Sequence, residues 1–329
     1  RADRGRCLVD LGTRTVHALS PAPDELAGSP ADTLAAPTTG DWVLVDRPDS
    51  LDSDPRIVAV LPRRTAYVRG AGRTDTRPQV LAANLDVVAV VQALDKAPNL
   101  TRLERMLALA WSSGARPLVV LSKADLANHP ETEREEVAAA APGADVVVVS
   151  TVAEHPAYRG VDEIRAMLPA GTTAAFIGQS GVGKSTLLNA LAGEERKATA
   201  PIRADGKGRH TTTDRELVRL PWGALLVDTP GLRGVQLWDA DEGLDATFAD
   251  VVELTAMCRF SDCAHAGEPG CAVAAALADG RLAPRRWESY QKLLREQRWL
   301  EMRYDARLRA QERAVWKRRS KEARSRGRP

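Results

Sequence analysis

Apolar positions along the chain change period twice, and the changes divide it into three regions. Up to about residue 78 they form short alternating or bunched runs: Cys7–Leu11, Thr15–Leu19, Asp41–Asp46, Arg56–Leu61 and Thr65–Val68. Gly, Pro, Asp and Ser separate these runs, so five short strands with turns are expected. The OB-fold is the commonest five-stranded barrel. From about Val80 the runs become continuous and β-branched. Asp86–Val91, Pro117–Leu121, Asp145–Val149 and Ala174–Ile177 have the composition of strands buried on both faces. Helical patterns alternate with them at Glu131–Ala141 and Val161–Leu168. Another opens at Thr101-x-x-Glu104, a capping-box spacing, with Leu103, Leu107, Ala110 and Trp111 on one face. Leu217–Leu220 and Ala224–Val227 read as further strands. This alternation predicts a doubly wound α/β domain with a mainly parallel sheet. After about Trp238 the chain turns helical and polar. Pro284 opens a long helix with Trp287, Tyr290 and Leu294, then Leu300, Tyr304 and Leu308, along one face. The expected architecture is multidomain α/β: a β-barrel of OB type at 1–78, the α/β domain at 79–236, a helical domain at 237–310 and a tail at 311–329.

Composition adds little until charge is located. Hydrophobic content of 44% and charged content of 27% are ordinary for a soluble chain. No run has the length of a membrane span and no charged-then-apolar leader is visible, so a cytoplasmic protein without membrane contact is expected. The net charge of +2 conceals an uneven distribution. Residues 310–329 hold eight Lys or Arg and two Glu, a local +6, which leaves the rest near −4. Arg63, Arg64, Arg69, Arg73 and Arg77 cluster at the end of the first region. Both features suit a polyanion, RNA above all. The plainer readings are a solvated tail and unliganded surface arginines.

Candidate chemistry centres on Gly178-Gln179-Ser180-Gly181-Val182-Gly183-Lys184-Ser185, a G-x-x-x-x-G-K-[ST] phosphate loop between a β-run and the helical Thr186–Leu191. Backbone N–H groups and a helix N-terminus capture anions there. Lys184 would reach the β- and γ-phosphates, and the Ser185 hydroxyl would bind Mg2+. Asp228-Thr229-Pro230-Gly231 ends a later β-run, where Asp228 can hold Mg2+ through water and the Gly231 N–H can sense the γ-phosphate. Ser122-Lys123-Ala124-Asp125 resembles the [NT]-K-x-D motif of G proteins. Asp125 would accept the ring and exocyclic N–H groups of guanine, and the Lys123 stem would cover the base. Ser122 departs from the usual Asn or Thr. Ser150-Thr151 fits the loop that meets guanine O6. These guanine motifs precede the phosphate loop, the reverse of ordinary G proteins, which implies a circularly permuted GTPase domain.

The residue after Gly231 is Leu232, which cannot orient a water molecule. His210, in the unpatterned stretch Gly208–Thr213, is the candidate for that role beside Lys184; an exposed loop histidine is the alternative. One of Thr211, Thr212 and Thr213 is expected to complete the Mg2+ shell, and Thr212 is the candidate. Cys258-x4-Cys263-x-His265-x5-Cys271 supplies three thiolates and an imidazole, a closed tetrahedral set for one structural Zn2+. Cys7 stands apart and is expected to be a buried thiol.

Together these features resemble the ribosome small-subunit-dependent GTPase A family (RsgA, the YjeQ type). The motifs that carry the likeness are the N-terminal β-runs, the permuted guanine and phosphate motifs, Gly208-Arg209-His210-Thr211-Thr212-Thr213 and the Cys3His module. The likeness spans roughly residues 5–300. It implies a monomeric GTP hydrolase yielding GDP and phosphate, stimulated by the small ribosomal subunit. It also implies action late in that subunit's maturation and contact with its rRNA. The alternative is a GTP-gated RNA-binding assembly factor with negligible turnover.

Overall fold

The computed structural model describes residues 2–3, 5–21, 36–46, 54–69, 79–193, 216–228 and 240–304. The readings placed on Arg73, Arg77, His210, Thr211, Thr212, Thr213, Gly231, Leu232 and the tail 311–329 lie outside the described residues, as does the side chain of Asp228.

The first strands are β1 (Ala2–Asp3), β2 (Arg6–Asp10), β3 (Thr15–Leu19), β4 (Val43–Val45) and β5 (Ile57–Val60). Antiparallel pairing joins β1–β2–β3 and β4–β5, and a parallel bridge from Leu19 to Arg56 ties the two sets. Alternation places Cys7, Ala18 and Ile57 in one small core with Val9, Val43 and Val45. Cys7 is buried and free, and burial pushes its thiol pKa up. The last run, β6 (Ala66–Arg69), pairs with β7 (Gln79–Ala83), a strand that the pattern did not reveal. Its Tyr67 is 1% exposed and packs in the large core farther along the chain.

That core covers one face of a six-stranded sheet. Its strands are β8 (Val87–Ala93), β9 (Arg116–Ser122), β10 (Asp145–Val148), β11 (Thr173–Ile177), β12 (Glu216–Arg219) and β13 (Leu225–Asp228). The spatial order is β10-β9-β8-β11-β13-β12, all parallel except β12. Val87 to Val91 are all buried, as a central parallel strand requires. The helices between strands are α1 (Leu100–Ser112), α2 (Pro130–Ala140), α3 (Arg159–Met167) and α4 (Lys184–Ala192). Residues of α1 and α2 belong to one buried layer and those of α3 and α4 to the other, so the sheet is doubly wound.

The capping box expected at Thr101 is corrected. Asn99 caps α1, its side chain accepting the Arg102 N–H at 2.9 Å. Glu104 has a different task. It is fully buried and receives Arg285 at 3.0 and 3.1 Å and Arg286 at 2.9 Å. Both arginines open the last described helix, α8 (Pro284–Tyr304), which follows α5 (Asp241–Thr247), α6 (Ala249–Ala256) and α7 (Ala272–Ala278).

All five N–H donors of Arg286 are used: on Glu104, on both oxygens of Asp250, and on the carbonyls of Ala140 and Thr247. Burial works against its charge, but the Asp250 and Glu104 carboxylates more than offset this and hold its pKa above the ordinary guanidinium value. Helix α5 lies so close to α1 that a Cβ on Gly243 would sit 2.0 Å from the Ala108 carbonyl oxygen. Leu244, Phe248, Val251, Tyr290 and Leu293 of this region share one core with Leu103 and Leu107 of α1. The helical region therefore rests on the α/β domain through a continuous interior. Glu104→Leu leaves Arg286 only half neutralised and is expected to cost about 3 kcal/mol. Urea unfolding measures it, and a change below about 0.5 kcal/mol would remove the clamp from the stability account.

Candidate nucleotide site

The phosphate loop joins β11 to α4 at the middle of the sheet, where strand order reverses and ligands of doubly wound folds bind. Gly178 has φ +148°, and a Cβ there would lie 2.4 Å from the Val91 carbonyl oxygen, so only glycine lets the loop lie against β8. Gly181 and Gly183 also have positive φ, and Gly183 precedes the first turn of α4 without any side-chain cap. Lys184 folds its ammonium back over the loop, donating to the carbonyls of Gly178 at 2.8 Å and Gln179 at 2.5 Å. Ser185 and Thr186 are exposed beside it. Asp228 ends β13, the strand next to β11, so its backbone is placed at the same edge of the sheet.

The guanine motifs converge on this loop. Ser122 ends β9 and is 4% exposed. Its hydroxyl lies 2.6 Å from the Val182 carbonyl oxygen of the phosphate loop and 3.1 Å from that of Gln92. The Ser122 hydroxyl therefore acts as a strut between β9 and the phosphate loop. Asp125 sits in the short turn Ala124–Leu126, and its Oδ1 accepts the Ser150 hydroxyl at 2.7 Å. Ser150 is fully buried and in turn accepts the Val152 N–H at 3.1 Å. One Asp125 oxygen is thus fixed by Ser150, which orients the carboxylate. Thr151 is half-buried next to it. Lys123 takes φ +58°, a left-handed conformation, and its Nζ lies 2.7 Å from Asp95 Oδ2. Asp95 and Gln92 carry no motif, and sequence reasoning missed both. A 370 Å³ hollow between α2 and α3 is lined in part by Glu131, Arg134, Arg159 and Glu163. Its rim carries both signs of charge, which suits polyphosphate poorly.

The second cluster lies after α6. Ligand atoms of Cys258, Cys263, His265 and Cys271 all fall within 4.8 Å of one another. His265 Nδ1 is 3.5 Å from Cys258 Sγ and 3.6 Å from Cys271 Sγ, and those two sulfurs are 4.0 Å apart. Tetrahedral Zn2+ needs edges of about 3.5 Å between S and N and about 3.8 Å between two S. The four residues therefore fit a metal of that kind. His265 reaches the cluster in a left-handed conformation, φ +57°, with the Trp287 ring edge-on at 5.4 Å. Glu268, also missed, accepts the Ala264 and Ala266 N–H groups and lies 3.7 Å from Cys263 Sγ. It fixes the turn that presents two of the ligands.

One expectation about the arginines is corrected. Arg63 is only 14% exposed at its side chain and is held by both oxygens of Asp41 at 2.7 Å. It braces the first region instead of facing solvent. Arg64 is 72% exposed with a contact to Asp86, and Arg69 reaches Gln79. Trp42, which no motif marked, is 67% exposed beside β4. No described helix is long and apolar enough to cross a membrane.

Comparison with known proteins agrees with this geometry. The family model described as RsgA GTPase matches residues 60–238. The chain is 49% identical over 324 residues to the small ribosomal subunit biogenesis GTPase RsgA of Streptomyces coelicolor, covering 97% of this chain and 85% of that protein. It is 50% identical over 297 residues to the protein of the same name from Opitutus terrae, covering 86% and 78%. Among solved structures, YjeQ from Thermotoga maritima superposes with a TM-score of 0.60 at 26% identity, covering 86% of this chain and 90% of that one. YloQ, a circularly permuted GTPase, gives 0.58 at 23% identity over 90% and 92%, a likeness of fold.

Proposed function

The chain belongs to the RsgA GTPase family, and on that premise we propose that it hydrolyses GTP to GDP and phosphate in biogenesis of the small ribosomal subunit. The observation that carries the reading is the Ser122 hydroxyl on the Val182 carbonyl, 2.6 Å away. It locks the guanine motif to the phosphate loop although 60 residues separate them and their chain order is inverted.

Recognition and chemistry divide between the two ends of one cleft. Asp125 takes the guanine N–H pair, which adenine cannot supply, and the Ser150-Thr151 loop meets O6. Gly178 to Gly183 offer backbone N–H groups to the phosphates, and Lys184 neutralises charge that builds on the β–γ bridge during transfer. Mg2+ accompanies GTP and stabilises the same charge when bound; Ser185, Asp228 and Thr212 would hold it. Gly231 would report the γ-phosphate. His210 is assigned the attacking water, because Leu232 has no group that can orient it.

His210→Ala is expected to abolish the hydrolysis that small subunits stimulate, with GTP affinity within about twofold of wild type. Single-turnover hydrolysis with and without purified small subunits measures it. A variant that is still fully stimulated would remove His210. A wild-type chain that the subunits leave unstimulated would turn the reading to a GTP-gated binding factor.

The partner surface is the small subunit and its rRNA. Supporting this are the exposed indole of Trp42, a stacking platform for a base, and the basic residues 310–329. The Cys3His cluster is assigned one structural Zn2+, since four protein ligands leave no position for water. A monomer in the cytoplasm, where that partner is assembled, is the proposed working form. The proposed domain limits are 1–78, 79–236, 237–310 and 311–329, with the β6–β7 pair joining the first two.

A further inference from the structure

Lys123 is the one residue of the guanine motif whose conformation is uphill. A left-handed backbone costs a residue with Cβ about 1–2 kcal/mol, and a free lysine side chain has about 2 kcal/mol of rotamer entropy to lose. The backbone is held from three sides. Leu94 N–H donates to the Ser122 carbonyl at 2.8 Å, Ala124 N–H to that of Val149 at 3.2 Å, and Leu126 N–H to that of Lys123 at 2.9 Å. The ammonium donates to Asp95 Oδ2 at 2.7 Å. Asp95 comes from the turn after β8, the neighbouring strand, so adjacent strand ends supply the two charges.

We propose that Asp95 is a positioning residue for nucleotide binding: it fixes the Lys123 ammonium so that the aliphatic stem lies as a preformed cover for the guanine base. The inference rests on the guanine reading of the site. The two side chains are 23% and 37% exposed, so the pair alone contributes little. A base against the lysine stem excludes water from one side and strengthens the attraction. The interaction is the same before and during hydrolysis, so it acts on binding and not on the chemical step.

Titration with a fluorescent GDP analogue and steady-state GTP hydrolysis test this on the full chain. Asp95→Asn is expected to weaken the analogue about five- to tenfold, through faster release. The KM for GTP rises in proportion, kcat does not fall, and Asp95→Glu recovers most of the loss. In a Lys123→Met background, Asp95→Asn adds less than about twofold, because the group that it holds is gone. Normal affinity in Asp95→Asn, or a full loss persisting in the Lys123→Met background, overturns the proposal. Asp95→Ser is read by the same criteria if Asp95→Asn fails to fold. A wild-type chain that ignores the analogue refutes the guanine reading itself, and that outcome is separate from either result on Asp95.

Discussion

Asp125→Asn is expected to weaken GTP binding by about a thousandfold and to make xanthosine triphosphate the preferred nucleotide. A carboxylate accepts two N–H groups from guanine, and hydrogen bonds to a charged partner contribute about 1.5–3 kcal/mol each. Replacing one oxygen by an amide nitrogen turns an acceptor toward a donor. Which atom turns is decided by Ser150. Its hydroxyl donates to Asp125 Oδ1 at 2.7 Å, and it is fully buried. In the variant that hydroxyl still needs an acceptor, so the amide oxygen stays with Ser150 and the NH2 faces the base. Xanthine carries a carbonyl where guanine has its amine, and the NH2 satisfies it. Competition of GTP and xanthosine triphosphate for a labelled nucleotide gives both numbers. Adding Ser150→Ala frees the amide to flip, and the preference for xanthine should shrink. Unchanged GTP affinity in Asp125→Asn would remove Asp125 from the base.

The contrast between Ser122 and Glu104 shows what a sequence window can hold. The phosphate loop, the central strands and the Cys3His spacing were legible because each is local: a few residues at fixed intervals determine them. The pattern predicts a strand at Asp86–Val91, and β8 runs Val87–Ala93. Ser122 departs from the motif, but its hydroxyl meets a carbonyl 60 residues away that no local pattern names. Glu104 satisfied a capping-box spacing, yet its partners are Arg285 and Arg286, 181 and 182 residues later. A buried carboxylate flanked by two guanidinium groups outweighs a helix cap of about 1 kcal/mol. Arg63 departs from expectation for the same reason, since Asp41 lies 22 residues earlier, across the β4–β5 pair, which charge counting does not see. Asp95 had no signal at all: it is one acid in a loop until the sheet places it beside Lys123.

Metal removal should open only the turn that carries the ligands, not the helical region as a whole. A Cys3His module followed by one amphipathic helix reads in the sequence as a small domain with little core, for which metal would supply the folding free energy. The structure redistributes that role. Phe248, Val251, Tyr290, Leu293 and Leu300 are buried in the same interior as α1, and Arg286 ties the region to Glu104. Between Met257 and Gly270, by contrast, every residue is at least partly exposed, and the left-handed His265 must be held against its own preference. Treatment with a strong chelator, or Cys263→Ser, is therefore expected to raise amide exchange across 258–271 by at least about a hundredfold. Protection in α5, α8 and α1 stays within about threefold of the loaded protein, because apolar burial and not metal holds those helices. Loss of protection through α5 to α8 in one step would contradict this, and would place the metal back at the centre of the domain's stability.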